Sequence, residues 1–239
     1  MSNYNYYGFE TLGKHTSDFG LQCIERSIGF PEKNKILVQP PFSNTILDFS
    51  NLYGSSTYSG REYTFKFLVD RTISRADMYR LWTRVINWLT QPNKKVPLYD
   101  DLMHDYYYLA ELVKAPSFDE AIGEDGSLTL TFDCYPFRIC ELEEGHDIWD
   151  IFDFDLDVAQ VTKYDVTVTR DIVLLNAGSG IAVPTIRTNN DMVIKFENQT
   201  FSVPPGTSES SRFRLKSGLN ELKILGTGTI EFIWHKELI

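Results

Sequence analysis

The stretch YTFKFLV, residues 63–69, places a large apolar residue at every second position. Successive side chains of a β-strand point to opposite faces, so this stretch is predicted to form a strand with one buried face. The segment SLTLTFDCYP, residues 127–136, repeats the pattern after a turn signal at residues 124–126. The predicted buried faces carry Tyr63, Phe65, Phe67 and Val69 in the first strand, and Leu128, Leu130, Phe132 and Cys134 in the second.

One segment has the 3.6-residue period of an amphipathic helix. Its apolar positions form a single stripe, at Met78, Leu81, Trp82, Val85, Ile86 and Leu89. Ser74 and Asp77 have the spacing of an N-terminal cap, and Pro92 should end the helix near Thr90. The run YYYLAELV, residues 106–113, is a plausible partner for the strand at residues 127–136. Residues 20–140 are therefore predicted to form antiparallel strands with one helix packed across them, an α+β unit.

Beyond residue 158 the pattern changes to short strands separated by turn residues. Eight strands are predicted, at residues 166–169, 172–176, 185–188, 192–196, 199–203, 212–215, 219–225 and 229–234. Turn signals lie between them, at residues 189–190, 197–198, 204–206, 217–218 and 226–228. This spacing is typical of a β-sandwich or jelly roll.

The change of pattern predicts two domains. We expect an N-terminal α+β domain at residues 1–140, an acidic linker at residues 141–158 and a C-terminal all-β domain at residues 159–239. The fold class expected for the whole chain is mostly β, with antiparallel sheets and one packed helix, followed by a jelly-roll β-sandwich.

The composition excludes several classes of protein. The chain has 239 residues, of which 42% are hydrophobic and 14% aromatic, enough for a folded core in one or two domains. Its 23 basic and 33 acidic residues give a formal net charge of −10, which repels a phosphate backbone, so no sequence-specific nucleic-acid partner is expected. No long apolar run and no signal-peptide pattern occur, so neither membrane insertion nor secretion by signal peptide is expected.

The cysteines predict no chemistry. Cys23, Cys134 and Cys140 have spacings that match no zinc or redox motif. We expect three inert thiols, as in a chain that folds in a reducing cytoplasm.

The segment DIFDFDLD, residues 150–157, belongs to an acidic run at residues 141–157 that contains eight acids and no lysine or arginine. A calcium loop of the helix-loop-helix kind that began at Asp153 would need glycine at its sixth position and glutamate at its twelfth. The sequence has Val158 and Tyr164 there. Because acids alternate with apolar residues, the segment is interpreted as a solvated strand face or an acidic linker, and no metal site is predicted.

The histidines do not assemble a recognisable active site. The four occur at His15, His104, His146 and His235. His104 lies near Asp100, Asp101 and Asp105, but a polar loop that leads into a strand is the preferred interpretation of this group.

Two other patterns in the sequence could carry chemistry. The G-x-G in Asn176-Ala-Gly-Ser-Gly180 lacks a third glycine and a following lysine, so it predicts a loop between strands and not a phosphate site. Paired carboxylates for glycoside hydrolysis can come from distant strands, but nothing in the sequence marks such a pair. We therefore predict no catalytic, cofactor-binding or metal-binding residue, no cofactor and no enzymatic activity.

Aromatic side chains provide a possible sugar-binding signal, because a ring face with a polar edge suits a pyranose. The candidates are Trp234, Tyr164 and the cluster Tyr106-Tyr107-Tyr108. For Trp234, which follows Phe232 in an alternating strand, packing in the core is the preferred interpretation.

A series of short motifs, each occurring once, follows in a recognisable order along nearly the whole chain. Those of the first half are Phe9 with Asp18-Phe-Gly-Leu21, Lys35-Ile-Leu-Val-Gln-Pro40, Leu47-Asp-Phe-Ser50, Tyr58, Arg61-Glu62, Trp88-Leu89, Leu98-Tyr-Asp-Asp101 and LTLTFDCYPF. Those of the second half are Asn176-Ala-Gly178, Pro184-Thr-Ile186, Leu215-Lys-Ser-Gly-Leu-Asn220 and Gly228-Thr-Ile-Glu-Phe232. In order, spacing and length the chain resembles the distal tail proteins, the Dit family, of long-tailed bacteriophages with non-contractile tails. It departs from that family at Pro41-Phe-Ser-Asn44, where relatives usually have a Gly-Arg-like turn.

The resemblance implies a structural virion protein at the phage tail tip, made and assembled in the host cytoplasm. In that family the N-terminal domain closes a hexameric ring that joins the tail tube to the baseplate or receptor-binding apparatus. The C-terminal domain is a galectin-like or carbohydrate-module-like β-sandwich. The implied partners are further copies of the chain in a homohexamer, the tail tube protein, the tape-measure protein, a tail-associated lysin or fibre, and a receptor-binding protein.

A second hypothesis comes from a different class of protein. The C-terminal sandwich would act as a carbohydrate-binding module that recognises host cell-wall polysaccharide, and the sequence singles out no sugar-binding residue for it. The two hypotheses are compatible with each other.

Overall fold

The computed structural model describes residues 7–51, 56–69, 75–120, 126–149 and 152–239. Within these ranges the chain forms one α-helix, α1 (Arg75–Leu89), a 3₁₀ turn at Thr16–Phe19, and eighteen strands. The strands are β1 (Phe9–Thr11), β2 (Lys14–His15), β3 (Leu21–Ile28), β4 (Leu37–Val38), β5 (Leu47–Asp48), β6 (Arg61–Val69), β7 (Val96–Asp100), β8 (Tyr106–Glu111), β9 (Ser117–Glu120), β10 (Gly126–Cys134), β11 (Arg138–Glu143), β12 (Lys163–Asn176), β13 (Thr185–Thr188), β14 (Met192–Phe196), β15 (Gln199–Val203), β16 (Gly206–Ser208), β17 (Gly218–Ile233) and β18 (His235–Leu238). The structure is mostly β with antiparallel pairing, which confirms the predicted fold class.

The chain divides into two compact units. The first contains the described residues up to Asn34, those from Tyr58 to Arg138, and Ile239. The second contains those from Lys35 to Thr57 and from Ile139 to Leu238. The domain boundaries at residues 140 and 158, which were inferred from the sequence, remain a prediction.

The first unit is built on a sheet in the order β2-β1-β7-β8-β10-β6-β3, with β9 also paired to β10. The two strands recognised first in the sequence are neighbours, and their apolar residues lie directly opposite each other, as in Leu128↔Phe67 and Leu130↔Phe65. All eight predicted face residues are buried. The predicted partner strand is also confirmed, since Ala110 of β8 pairs with Cys134 of β10.

Helix α1 contributes its apolar stripe to the core of this unit. Leu81, Val85 and Leu89 are buried, and the other stripe residues are partly buried against the same core. Thr90 N donates to the carbonyl oxygen of Ile86 at 2.9 Å, so the helix ends where the sequence predicts. The predicted cap at Ser74 lies outside the described residues.

Trp88 belongs to the same core but was not part of the predicted stripe. Its ring stacks on Phe19 at a centroid distance of 4.8 Å and on Phe9 at 6.0 Å. Position 88 is seven residues after Leu81, so it lies at the edge of the same helix face. The apolar stripe of α1 is therefore wider than the six residues predicted from the sequence.

The second unit contains a six-stranded sheet in which β17 is the longest strand. Strand β12 pairs with β17 along its whole length, from Lys163↔Glu231 to Asn176↔Gly218. The other edge of β17 pairs with β14 and with β13. The three strands predicted at residues 185–188, 192–196 and 199–203 are confirmed with the same bounds.

Four predicted strands of this unit are parts of two longer ones, and one turn prediction is wrong. Residues 166–176 are continuous within β12, and residues 219–233 are continuous within β17. Gly226 and Gly228 therefore lie inside a strand. Their backbones pass close to the chain near residue 190, and a Cβ on Gly228 would lie 2.2 Å from Asn189 Oδ1. The glycines permit a close approach and do not mark a turn.

Two further expectations for the second unit need correction. The predicted strand at residues 212–215 does not form, and Leu215 makes only an isolated bridge with Ala182. Strand β18, which pairs with β11, was not predicted. The core of the unit is closed by Phe213, Phe232 and Trp234, all buried. Its galectin-like or jelly-roll identity remains a prediction.

Candidate interaction surfaces

Residues 35–50 form a β-hairpin whose surface is mostly apolar. Strands β4 and β5 make a two-stranded sheet of their own, paired through Leu37↔Asp48 and Val38↔Leu47. Phe42 at its tip is fully exposed. Six further large apolar side chains are between 39% and 58% exposed, namely Ile36, Leu37, Val38, Ile46, Leu47 and Phe49.

Polar contacts inside the hairpin define its shape. Phe49 N donates to the Ile36 carbonyl oxygen at 2.9 Å, and Ile36 N donates to Ser50 Oγ at 2.8 Å. Lys35 Nζ lies 2.6 Å from Asp48 Oδ2 across the two strands. The hydrogen bond from Lys35, with those from Ser50, holds the pKa of the Asp48 carboxyl well below its usual range. The hairpin thus pairs several of its own polar groups and leaves its large apolar side chains exposed to solvent.

The tip of the hairpin is the loop where the sequence departs from the Dit pattern. Ser43 N donates to the Pro40 carbonyl oxygen at 3.2 Å, and Gln39 Nε2 donates to the Ser43 carbonyl oxygen at 2.9 Å. Phe42 has a φ of 62°, in the left-handed region that bulky residues rarely adopt. The turn therefore presents the Phe42 ring outward.

The exposed apolar side chains of the hairpin make it a candidate interaction surface. An isolated two-stranded hairpin is marginally stable in water, and contiguous exposed apolar patches mark sites of protein association. Sequence reasoning identified residues 35–40 and 47–50 only as family motifs. The sequence does contain a signal that this hairpin differs from a strand with one buried face, because the apolar residues at 36–38 and 46–47 are consecutive and do not alternate.

The acidic segment at residues 150–157 forms a turn and not a strand in its described part. Leu156 N and Asp157 N both donate to the Asp153 carbonyl oxygen, at 3.2 and 2.7 Å. The side chains of Asp153 and Asp157 accept from Asp155 N and Asp153 N, each at 2.9 Å. The strand alternative is therefore wrong, since short acidic side chains accept from nearby backbone N–H groups and so favour turns. Residues 150 and 151 lie outside the described residues.

Two of the aspartates near His104, Asp100 and Asp101, hold segments of the first unit together through hydrogen bonds and ion pairs. Asp100 is buried and accepts hydrogen bonds from Tyr7 Oη at 2.7 Å, from Tyr63 Oη and from Arg26. Burial, followed by the contact with Asp100, raises the pKa of Tyr7 well above its usual value.

The neighbouring Asp101 binds residues on both sides of β1. It accepts from Gly8 N at 2.8 Å and lies 3.1 Å from His15 Nε2. His104 takes no part in these contacts. Residues 101–105 form turns that lead into β8, as the loop interpretation predicted.

The G-x-G loop is a connection between strands, as predicted. Asn176 Oδ1 accepts from Gly178 N at 2.9 Å, and Asn176 Nδ2 donates to the Gly180 carbonyl oxygen at 2.9 Å. A Cβ on Gly178 would lie 3.0 Å from the Glu237 carbonyl oxygen, so this glycine permits close packing within the second unit.

The aromatic candidates for sugar stacking are mostly engaged elsewhere. Trp234 is 3% exposed and belongs to the core, which confirms the packing interpretation. The Arg61 guanidinium lies 5.2 Å from the ring centroid of the buried Tyr108. The ring of Tyr164 is similarly covered by Arg170, at 5.1 Å.

The three cysteines are free and buried. Burial raises the pKa of each thiol, to about 12 for Cys134, which keeps them protonated at neutral pH. Within the part of the chain that the structure describes, no group of three or more His, Cys, Asp or Glu side chains is placed to hold a metal ion. No helix of the described residues has the length and apolar character needed to cross a membrane.

The fold has counterparts among solved structures. The SPP1 Dit protein (gp 19.1), from the hub adsorption apparatus of phages that infect Gram-positive bacteria, aligns with a TM-score of 0.66 over 98% of this chain and 99% of that chain, at 14% identity. Two structures of the phage p2 baseplate in its activated conformation align more loosely. The one with strontium has a TM-score of 0.41 at 11% identity, covering 96% and 97% of the two chains, and the one with calcium 0.38 at 12%, covering 93% and 92%. No protein-family model and no curated protein matches the sequence. The chain therefore shares the fold of SPP1 Dit.

Proposed function

We propose that this chain is a structural protein of a phage tail tip. Copies of it assemble into a hexameric ring that joins the tail tube to the baseplate or receptor-binding apparatus, and the protein acts through its surfaces without catalysis. The fold that it shares with the SPP1 hub protein over almost its full length supports this proposal. The observation that carries it is the exposed apolar hairpin at residues 35–50.

The energetics of the hairpin favour assembly. Complete burial of a large apolar side chain contributes about 1.5–3 kcal/mol, so seven side chains that are mostly half exposed offer a gross gain on the order of 10 kcal/mol. Association costs about 4–15 kcal/mol in lost freedom of motion. The hairpin therefore supplies a large part of the required free energy, and further contacts must supply the remainder and the register.

The remaining partners follow from the same role. A ring at the end of a tail contacts the tail tube and tape-measure proteins on one side, and a lysin, fibre or receptor-binding protein on the other. The protein then resides in the virion, after assembly in the host cytoplasm. A closed ring requires that two different surfaces of one chain be complementary.

The test is the assembly state of the purified chain. Light scattering after size-exclusion chromatography should give six times the chain mass of 27.5 kDa, and negative-stain microscopy should show closed rings. A chain that remains monomeric at high concentration would contradict the proposal.

The second candidate function is binding of host-wall polysaccharide. The observation that favours it is Trp149, whose side chain is 62% exposed and whose ring lies 5.0 Å from that of Phe152. An exposed indole face suits a sugar ring. Retention of the chain on immobilised host-wall polysaccharide, abolished by Trp149→Ala but not by Tyr79→Ala, would support it, and no retention would exclude it.

A further inference from the structure

The first unit contains an open groove between its N-terminal turns and the last turns of α1. Its volume is about 360 Å³, at the lower end of the roughly 300–1,000 Å³ common for ligand sites, which suits one or two side chains. Its lining includes the cations Lys14 and Arg84, the amides Asn87 and Gln91, and the rings of Phe19 and Trp88.

Among the described residues neither Lys14 nor Arg84 forms an ion pair, and Arg84 lies over the ring of Phe19 at 5.6 Å. The acid in the lining, Asp18, accepts from His15 N at 3.0 Å and so closes the 3₁₀ turn. The lining carries two positive charges and the one negative charge of Asp18, so in a chain with a net charge of −10 the groove is a local site of net positive charge.

The groove is also rich in hydrogen-bond donors. The amides of Asn87 and Gln91 carry N–H groups beside the two cations. The ring of Trp88 lines the groove, while its Nε1 is buried and has no hydrogen-bond partner among the described residues. The complementary ligand is an acceptor with negative charge, which among protein groups is a carboxylate.

Other ligand classes fit less well. Phe19 and Trp88 are stacked on each other and buried, so neither presents the free ring face that a sugar needs. Two cations are too few for a nucleic-acid backbone, which is bound by longer rows of positive charge.

The same chain also has an exposed surface with negative charge. The turn at residues 153–157 exposes Asp155, and Phe154 beside it is 83% exposed. The turn is held from within by Asp153 and by Asp157, whose carboxylate is paired with the buried Lys236. It therefore presents an acidic and aromatic surface that is already ordered before binding, which lowers the entropic cost of docking.

We propose that the acidic turn at residues 153–157 of one copy docks in the groove beside Lys14 and Arg84 of a neighbouring copy. This inference rests on the proposed ring and identifies two surfaces that would join its members. Such a contact is heterologous, because it uses two different surfaces of the same chain. Charge complementarity at its centre sets orientation and register, while the hairpin contributes apolar burial.

The test is a charge exchange between Arg84 and Asp155. Both side chains are exposed, so R84E and D155K should fold normally, as checked by thermal unfolding. Each single variant should weaken association of the ring at least tenfold, measured as the concentration of half-dissociation in light scattering. The double variant R84E/D155K should regain most of the wild-type affinity, because it restores opposite charges. Arg212→Glu, an exposed arginine of the second unit, is the control with the same change in charge.

The outcomes separate the two proposals. If the wild type forms rings and both single variants assemble as well as Arg212→Glu, the docking contact is wrong and the ring function stands. If the double variant is as weak as the single variants, Arg84 and Asp155 do not meet and the contact is also wrong. If R84E unfolds through loss of its contact with Phe19, Lys14→Glu takes its place. A wild type that never assembles overturns both proposals.

Discussion

Lys236 and Asp157 form an ion pair that joins the acidic segment to the last strand of the chain. Lys236 Nζ donates to the Asp157 carboxylate and, at 2.8 Å, to the Leu156 carbonyl oxygen. The two side chains are only 3% and 11% exposed. Burial alone would raise the pKa of Asp157, but the hydrogen bond from Lys236, with a further one from Asp153 N, lowers it. The position of the acidic turn therefore depends on one buried lysine.

Replacement of that lysine should be costly. Lys236→Met leaves Asp157 without its cation, and breaking a buried pair in this way typically costs about 3–5 kcal/mol. We expect a loss of that size in the free energy of unfolding measured with urea. Lys216→Met is the control, because the ion pair of Lys216 with Glu197 is about half exposed and should contribute at most about 1 kcal/mol. Equal losses in the two variants would show that the buried pair has no special role.

Glu144 predicts a dependence of stability on pH. Burial raises the pKa of this carboxyl above its usual value, despite the favourable charge of Lys236. Because its pKa is higher in the folded state than in the unfolded state, Glu144 ionises less readily when the protein is folded. The free energy of unfolding therefore falls as the pH rises from the unfolded pKa through the folded pKa. Glu144→Gln removes that cost.

The variant should therefore be more stable than the wild type at pH 8 and nearly equal to it at pH 3.5, where the carboxyl is protonated in both states. Thermal unfolding at the two pH values measures the difference. A gain that is the same at both values would contradict the assignment. Glu141→Gln, which removes a carboxyl from an exposed position of the same run, is the control for the change in charge.

The hairpin should be important for assembly and unimportant for folding. Leu37 and Ile46 are 56% and 58% exposed, so Leu37→Ser with Ile46→Ser should change the free energy of unfolding of the separated chain by less than about 1 kcal/mol. Loss of apolar burial should weaken ring formation by more than tenfold, measured by light scattering. Val173→Ser, at a residue 51% exposed in β12, should leave assembly unchanged. If the hairpin variant forms rings at the same protein concentrations as the wild type, the hairpin does not contribute to the contacts between copies.

Gly228 should tolerate no side chain. A Cβ there would collide with Asn189 Oδ1, which accepts from Thr229 N at 2.7 Å, and the φ of 145° is itself unfavourable for other residues. We expect Gly228→Ala to cost several kcal/mol, roughly 2–4, in urea unfolding. Gly206→Ala has a positive φ but no atom within 4 Å of the new Cβ, so it should cost only about 1–2 kcal/mol from strain. Similar losses at the two positions would mean that the close approach to Asn189 is unimportant.

Local patterns predicted much of the fold. The alternation at residues 63–69 and 127–134 identified two paired strands and their buried faces, because burial on one side of a sheet imposes a period of two. The helix was placed from its apolar stripe and Pro92. In the second unit, clear turn residues on both sides gave the strand at residues 192–196 its correct bounds.

The errors have a common physical cause. Glycine is favoured both in turns and where two backbones approach closely, so Gly226 and Gly228 were assigned to a turn although they lie inside β17. Alternating acids and apolar residues suit both a strand and a series of aspartate-capped turns, and at residues 153–157 the capped turn forms. In each case a contact with a distant part of the chain selected between two locally acceptable structures.

The sequence by itself determined the class of fold, the presence of one helix among antiparallel strands, and the acidic character of the chain. These properties follow from the order of apolar and polar residues, which is a local quantity. The tertiary structure decided that the apolar residues of the hairpin at 35–50 stay in solvent, and that Lys14 and Arg84 line one groove without forming an ion pair with any described residue. Whether an apolar side chain is covered, or a charge paired, depends on which distant residues arrive beside it, and only the folded chain brings them together.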